Sequence, residues 1–386
     1  MTFKIRIIRV FAIYFGLNFY VGIRLFQFIN SLLPAVSALV FAPVYAAIVA
    51  TVFLSFTPLS ANLRSVMRLI GGYWLGAFVF LLQLFLLADL VLLLAGGTGL
   101  IPGYVLPTTR FYAGAAVVLL TAATSAYGCY NASRIKHVSY DIKLNSAPAK
   151  EIKIVFIADL HLGEMHSERH LKKIVEGINS QTPDIVCLVG DIFNDDFNAI
   201  RRPEKAMALF RSIDAAYGVY ACLGNHDGNR RGTLNEMMNF LENSGVELLN
   251  DVHTVIDETI VLIGRLDASP IGGFGDMARK DFSEIISGVD TTLPAVVIDH
   301  NPANIGEYGG EVSLILSGHT HRGQLFPFNL LTRSLFTVDY GHYRKDPLSP
   351  HVIVTQGVST WMMPMRVGTS NEIVSVIIAG NLFSEG

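Results

Sequence analysis

The stretch IKIVFIADLH, residues 152–161, is the part of the sequence that decides the fold. Apart from Lys153, its first seven residues are apolar, which predicts a strand buried on both faces. A carboxylate and an imidazole, Asp159 and His161, follow where that strand is expected to end. Ligands of open α/β sheets bind at the carboxyl ends of the strands, so we expect both side chains to face a binding crevice.

The same arrangement recurs further along the chain, where apolar runs again end in Asp, Asn or His. Patterns typical of helices, at 168–179 and 204–213, lie between the first three of these runs. This alternation of strands and helices predicts an α/β layered domain. Further strands are predicted at 246–249, 259–263 and 351–355. The recurring runs, each with the polar residues that come after it, are 184–191, 219–227, 295–300 and 312–321.

These strand-end residues supply a set of carboxylate, imidazole and amide ligands that suits Mn²⁺, Fe²⁺ or Zn²⁺ better than Mg²⁺. Seven ligands exceed the needs of one ion and fit two ions roughly 3.5–4 Å apart, which can clamp both oxygens of a phosphoryl displacement. A single Asp or His at a strand end is usually a cap or turn residue. The complete ordered set favours metal binding: Asp159, His161, Asp191, Asn225, His300, His319 and His321.

The N-terminal third is far more apolar than the rest. Hydrophobic residues make up 51% of the chain and charged residues only 16%, and the mean hydropathy is +0.43. Four apolar stretches have about the length needed to cross a bilayer as helices. They lie at approximately 8–29, 35–56, 69–95 and 111–130. The sequence thus predicts a membrane domain of about four transmembrane helices (1–133), a linker (134–150) and a catalytic domain (151–386).

Charge is unevenly divided between these parts. Residues 1–133 carry a net charge of +6, which leaves −9 for the remainder of a chain whose total is −3. An acidic second part disfavours nucleic-acid binding. The basic residues around the apolar stretches place both termini in the cytoplasm, as in a multi-pass protein of the cell (inner) membrane. Losing one span from the count would move the catalytic domain to the other side. Asp89, inside the third span, favours a helix–helix hydrogen bond over an ion path.

The motifs D-x-H, G-D, G-N-H-D, a lone H and G-H-x-H occur in that order between about residues 151 and 379. In this the chain resembles the calcineurin-like metallophosphoesterase superfamily, and its G-H-T-H-x-G-Q form resembles the membrane-attached branch. The resemblance implies a four-layer α-β-β-α sandwich preceded by an all-α membrane domain. It also implies two divalent metal ions and in-line attack by a metal-bridging hydroxide. One ion would be held by Asp159, His161, Asp191 and His321, and the other by Asp191, Asn225, His300 and His319.

The resemblance further implies two catalytic roles, with His226 protonating the leaving oxygen and Asp227 orienting that histidine. Four arginines are each either a phosphate contact or a surface charge: Arg230, Arg231, Arg322 and Arg366. Arg322 stands where this branch usually has glycine. Asp299 stands where a smaller residue is expected, and it is interpreted as an acceptor for a ligating histidine.

The expected function is hydrolysis of a phosphoester or pyrophosphate bond, with a lipid-linked substrate favoured because of the membrane segments. Two apolar stretches, 325–331 and 361–365, either dip into the membrane interface or fill the core. One alternative is a tethered phosphodiesterase or phosphatase for a soluble substrate. Another is a non-catalytic membrane scaffold, whose marker would be missing ligands. A transporter with a regulatory domain is a further alternative, supported only by Asp89.

Overall fold

The structure, a computed structural model, describes residues 2–57, 59–102, 105–144, 148, 150–163, 168–290 and 292–379. The chain divides into two compact units. The helical unit comprises Met1–Tyr130 together with Met362–Met365, and the α/β unit comprises Asn131–Trp361 together with Arg366–Gly386.

Four helices make up the described part of the helical unit. They are α1 (Thr2–Leu32), α2 (Ala38–Leu54), α3 (Ala61–Gly97) and α4 (Leu106–Ala132). Three segments, within α1, α3 and α4, are long and apolar enough to cross a membrane. Helix α2 has only 17 residues and contains Pro43, so the predicted count of about four spans is not confirmed.

Side chains of α1, α3 and α4 form the interior of the helical unit. Val21, Phe78, Phe85 and Val117 are buried in one apolar cluster. Asp89 Oδ2 accepts hydrogen bonds from the Tyr20 hydroxyl at 2.6 Å and from Arg24 Nε at 2.8 Å. The interpretation of Asp89 as a helix–helix contact is confirmed.

The α/β unit contains two six-stranded sheets. The strand order is β1-β12-β2-β3-β4-β5 in the first sheet and β10-β11-β9-β8-β7-β6 in the second. The first strands are β1 (Ile135–Ile142), β2 (Ile152–Ile157), β3 (Ile185–Val189), β4 (Val219–Cys222), β5 (Val246–Leu248) and β6 (Val252–Ile256). The others are β7 (Ile260–Gly264), β8 (Ala295–Ile298), β9 (Leu314–Ser317), β10 (Gly341–Tyr343), β11 (His351–Val354) and β12 (Asn371–Ile378).

Five helices accompany the sheets within the residues that the structure describes. They are α5 (Glu168–Asn179), α6 (Pro203–Arg211), α7 (Leu234–Asn243), α8 (Phe282–Ile286) and α9 (Phe328–Leu335).

Alternation along β2 shows how the layers form, because successive side chains of a strand point to opposite faces. Ile154 and Phe156 lie in the core between the two sheets. Val155 and Ile157 lie on the opposite face, in a second core with residues of α5, α6 and α7. The outer face of the second sheet packs against Phe282 of α8. The layers therefore run helix, sheet, sheet, helix, and the predicted α-β-β-α sandwich is confirmed.

Residues 134–150, which we predicted to be a linker, contain strand β1. It pairs in parallel with β12 along its whole length, from Ile135 opposite Asn371 to Ile142 opposite Ile378. Most of its side chains are exposed or half-buried, and the polar residues at these positions give the segment the composition of a linker. The α/β unit thus begins before residue 151.

Candidate metal centre

Five strands deliver the predicted ligands to one edge of the α/β unit. Asp159, Asp191 and Asn225 follow β2, β3 and β4, which are parallel neighbours in the first sheet. His300 and His319 follow β8 and β9, which are parallel neighbours in the second. The carboxyl ends of parallel neighbours lie at the same edge, so topology brings these side chains together.

The first group of ligands consists of Asp159, His161 and His321, all buried. Their ligand atoms lie within 4.8 Å of one another. The two Nε2 atoms of His161 and His321 are 3.1 Å apart, and His321 Nε2 is 3.3 Å from Asp159 Oδ1. This group matches the first predicted ion site apart from Asp191.

The second group consists of Asp191, His300 and His319, again with ligand atoms within 4.8 Å of one another. His300 Nε2 lies 3.2 Å from Asp191 Oδ2. Asn225 joins this group through its Oδ1 atom, which is 2.7 Å from His319 Nδ1. All four predicted ligands of the second ion are therefore assembled.

Asp191 links the two groups. Its Oδ2 atom is 3.2 Å from His300 Nε2 in the second group and 3.8 Å from His161 Nε2 in the first. The carboxylate is 2% exposed. A single buried carboxylate within reach of both groups is the arrangement that a bridging ligand requires.

The backbone at these residues adopts a conformation that is uncommon for non-glycine residues. Left-handed φ values of this kind typically cost about 1 kcal/mol or more each and cluster at functional sites. Five of the seven ligands have positive φ: Asp159 (57°), His161 (47°), Asp191 (49°), His319 (71°) and His321 (46°).

The chemistry of the residues fits two divalent cations. Buried carboxylates and imidazoles face one another, and His300 Nε2 makes no well-directed hydrogen bond despite its closeness to Asp191. Burying such groups without a balancing charge is costly, and cations would satisfy both the carboxylates and the nitrogen lone pairs.

The pKa shifts of Asp191, His319 and His321 favour metal binding. Burial opposes ionisation of Asp191, but the charge of His300 outweighs it and holds the Asp191 pKa well below its usual range. Burial, reinforced by the charge of His300, lowers the pKa of His319 to about 4. Burial and the neighbouring His161 likewise hold the pKa of His321 well below its usual range. An ionised bridging carboxylate and neutral imidazoles are the forms that bind metal. Burial lowers the pKa of His300, but the charge of Asp191 outweighs it and raises that pKa well above its usual range, so His300 must lose a proton when it binds an ion.

The carboxylate next to His226 is Asp195, and the prediction that Asp227 orients this histidine is wrong. His226 Nδ1 lies 2.8 Å from Asp195 Oδ1. Burial lowers the pKa of His226, but the hydrogen bond with Asp195 and the charge of Asp191 outweigh it, so the pKa is raised. Arg230 in turn donates to Asp195 Oδ2 at 3.0 Å.

Asp227 instead holds the backbone beneath the site. Its fully buried carboxylate accepts hydrogen bonds from the backbone N–H groups of Ile192, Phe193 and Gly224 at 3.2, 2.7 and 2.8 Å. These contacts join the loop after β3 to the loop after β4. Asp227 therefore positions the segments that carry Asp191 and Asn225.

The contacts of Asp299 and Arg322 also differ from expectation. Asp299 binds Arg279 at 2.7 Å and the Tyr308 hydroxyl at 2.5 Å, whereas His300 Nδ1 lies 2.8 Å from the carbonyl oxygen of Val189. The Arg322 guanidinium lies 4.4 Å from the centre of the Tyr340 ring. A phosphate contact by Arg230, Arg231 or Arg322 remains a prediction.

Arg366 is fully buried, so its interpretation as a surface charge is wrong. Its guanidinium donates to the carbonyl oxygens of His321, Gln356 and Ser359, and one of its nitrogens lies 3.1 Å from His321 Nδ1. Sequence reasoning missed this contact and that of Asp195. The nearest signal for Asp195 was its position four residues after Asp191, which the adjacent Asp196 made ambiguous.

Apolar side chains border the site. The Trp361 ring centre is 5.3 Å from that of His226, and the Trp361 residue is 37% exposed. Helix α9 buries none of its residues, and Leu330, Leu331 and Leu335 are exposed. Most of the segment 325–331 therefore does not fill the core, although Leu325 does. Met362–Met365 group with the helical unit.

Comparison with known proteins agrees with the motifs. Residues 152–323 match the family described as calcineurin-like phosphoesterase, which confirms the resemblance. A Danio rerio transmembrane protein with metallophosphoesterase domain is 28% identical over 277 residues, which are 68% of this chain and 61% of that protein. An uncharacterized Aquifex aeolicus metallophosphoesterase is 28% identical over 265 residues, or 68% of this chain and 99% of that protein.

Similarity to solved structures is weaker. The Thermus thermophilus sulfate thiohydrolase SoxB in complex with glycerol has a TM-score of 0.36 and 12% identity, covering 62% of this chain and 58% of that one. The chain spans about three fifths of the length of the first relatives that it matches.

Proposed function

Because residues 152–323 carry a calcineurin-like phosphoesterase domain, we propose that this chain is a membrane-anchored hydrolase that cleaves a phosphoester or pyrophosphate bond with two divalent metal ions. The observation that carries the proposal is the buried Asp191 carboxylate, which lies within 4 Å of imidazole nitrogens in both groups of potential ligands. A non-catalytic scaffold is disfavoured since every predicted ligand is present and gathered.

The cations would supply Lewis-acid stabilisation of the phosphoryl oxygens and make a water nucleophilic near neutral pH. The chain's own residues would do the rest. His226, protonated because Asp195 binds its Nδ1 atom, would donate the proton on Nε2 to the leaving oxygen. Asp195 keeps the ring oriented, and Arg230 holds Asp195.

A lipid-linked substrate is the part of the proposal that rests on the apolar border. Trp361 stands beside the proposed proton donor. The exposed leucines of α9 follow the last metal motif by only a few residues. Apolar side chains exposed next to a polar site favour a substrate with an acyl or polyprenyl chain over a wholly polar one.

The proposal extends to location. Three helical segments of the helical unit are long enough to span a membrane. With α2 as a fourth span, the basic residues favour a cytoplasmic catalytic domain anchored in the cell (inner) membrane. A reporter that fluoresces only in the cytoplasm, fused after residue 379, tests this orientation. If this fusion does not fluoresce, and a reporter that works only outside the cytoplasm is active at the same position, the catalytic domain lies on the other side of the membrane.

Metal content and turnover of the purified full chain test the hydrolase assignment. Asp191→Asn is expected to remove about one ion per chain and to lower kcat at least about 100-fold on any phosphoester that the unchanged protein cleaves. The exposed Asp214→Asn is the matched control and is expected to change neither. Full turnover in Asp191→Asn with unchanged metal content would end the binuclear proposal.

Substrate class is tested separately with Leu331→Glu, which places a charge on the exposed face of α9. We expect slower turnover of a lipid-linked phosphoester and unchanged turnover of a water-soluble one. Leu348→Glu is the control, since Leu348 is another highly exposed leucine of the α/β unit. Equal effects on both substrates, or none, would favour a soluble substrate.

A further inference from the structure

A cavity of about 340 Å³ lies within the helical unit, between α1, α3 and α4. None of its lining residues belongs to the metal centre, so binding in this cavity does not depend on the proposed hydrolysis. Its lining combines charged and aromatic side chains, among them Arg24, Arg110, Asp89, Phe28, Phe85 and Phe111. Such a mixture is typical of a site for an amphiphilic ligand.

Arg24 is held in place at this cavity by its neighbours. Its Nε and one terminal nitrogen lie 2.8 and 2.7 Å from Asp89 Oδ2. Its other terminal nitrogen donates to Gln27 Oε1 at 2.9 Å. An arginine has five N–H groups in a fixed fork, so Arg24 retains donors for a ligand while its charge is balanced by Asp89.

Arg110 supplies a charge that the cavity does not balance. Within the described part of the chain, its guanidinium has neither an ion-pair nor a hydrogen-bond partner. Asp89 is already bound by Arg24 and by the Tyr20 hydroxyl. The charged residues that line the cavity are thus two arginines and one carboxylate, which together carry a net charge of +1.

We propose that this cavity binds the headgroup phosphate of an anionic phospholipid. Arg110 and the remaining donors of Arg24 bind the phosphate oxygens, which guanidinium groups match in geometry. A phosphodiester carries one negative charge and so balances the lining. Phe28, Phe85 and Phe111 provide apolar surface for the adjoining part of the lipid. A free phosphate ion shares the anionic chemistry but leaves that aromatic surface unused.

The test uses the full chain, freed of lipid in detergent, with native mass spectrometry as the measure of binding. Phosphatidylglycerol is expected to bind about tenfold or more tightly than phosphatidylcholine, and Arg110→Gln is expected to abolish that preference. Arg64→Gln is the matched control, since Arg64 is also a basic residue of the helical unit but does not line the cavity. It is expected to retain the preference.

A second variant keeps the proposal testable if Arg110→Gln fails to fold. Ala113 lines the cavity, and Ala113→Phe reduces its volume without altering charge, so phosphatidylglycerol binding is expected to weaken. Equal binding of both lipids to the unchanged protein would overturn the proposal, and so would a preference that survives both substitutions. Inorganic phosphate that binds with the same dependence on Arg110, without any lipid preference, would reassign the cavity to free phosphate.

Discussion

At the scale of single residues, the orientation of His226 depends on one carboxylate. Asp195 accepts a hydrogen bond from its Nδ1 atom at 2.8 Å and raises its pKa. With Asp195→Asn the His226 pKa falls, because the neutral amide no longer stabilises the charged ring. His226 then loses its proton at a lower pH than in the unchanged protein. The alkaline limb of the pH profile of kcat should therefore move to lower pH.

We expect kcat of Asp195→Asn to fall about 10- to 100-fold at neutral pH, with two ions still bound. The readouts are a pH–rate profile and metal content, with Asp214→Asn as the control. An unshifted alkaline limb would show that Asp195 does not act through His226.

Arg366 offers a second prediction at this scale. Its guanidinium donates hydrogen bonds to the carbonyl oxygens of the predicted ligand His321, of Gln356 and of Ser359. Arg366→Met leaves these buried acceptors unsatisfied, at a cost of about 1–3 kcal/mol for each such group. We expect selective weakening of the ion site that contains His321, measured as loss of about one ion per chain.

Arg344→Met is the matched control, because Arg344 also donates to backbone carbonyl oxygens, those of Ser349 and Pro347. Loss of both ions in step with global unfolding would indicate a merely structural role for Arg366.

That the predicted ligand residues lie together was predictable from sequence, whereas the contacts of the residues around them were not. Asp159, Asp191 and His300 each lie directly after an apolar run, so local pattern and strand topology suffice to place them. The partner of His226 is decided by how the loop after β3 meets the loop after β4. No local pattern distinguishes Asp195 from Asp227 for that role.

At the scale of elements, the ends of β3 and β4 approach so closely that only glycine fits at position 224. A Cβ added there would collide with the backbone nitrogen and Oδ1 atom of Asp191. The backbone angles of Gly224, φ −92° and ψ −178°, are open to any residue, so the effect of Gly224→Ala is purely steric.

We expect Gly224→Ala to displace the bridging carboxylate, to lower kcat at least about tenfold and to destabilise the fold by roughly 1–3 kcal/mol. Metal content and thermal unfolding measure this. Gly306→Ala is the control, because nothing lies within 4 Å of a Cβ added there. Normal metal binding by Gly224→Ala would show that the ends of β3 and β4 do not approach each other this closely.

Strand β1 leads to a prediction about fragments. It covers the edge of β12 over eight residue pairs and buries Ile142 in the core between the sheets. A fragment that begins at residue 151 loses these hydrogen bonds and exposes a sheet edge. In urea unfolding, we expect the fragment 131–386 to be more stable than 151–386 by at least about 2 kcal/mol. Equal stability would show that β1 is dispensable.

The core strands were predictable because both of their faces are buried, which leaves continuous apolar runs such as β2 and β3. Strand β1 was not, since it lies at an edge and alternates polar with apolar residues. Its partner β12 is the last strand in the described part of the chain. The pairing therefore joins residues more than 230 positions apart, which no local pattern reveals.

At the scale of the whole molecule, the chain joins a membrane-type helical unit to a metallophosphoesterase unit. Composition alone indicated this division, but not the number of spans. A 17-residue helix such as α2 is about 26 Å long, close to the thickness of the hydrocarbon core. Apolar content cannot decide whether such a helix crosses the membrane, and the side on which the catalytic unit lies depends on that.

The central claim concerns the metal centre, and anomalous X-ray scattering from crystals of the Mn²⁺-loaded protein tests it most directly. We predict two peaks roughly 3.5–4 Å apart, with the Asp191 carboxylate between them. His161 and His321 should contact one peak, and His300 and His319 the other. A single peak, or peaks away from Asp191, would contradict a binuclear centre bridged by this carboxylate.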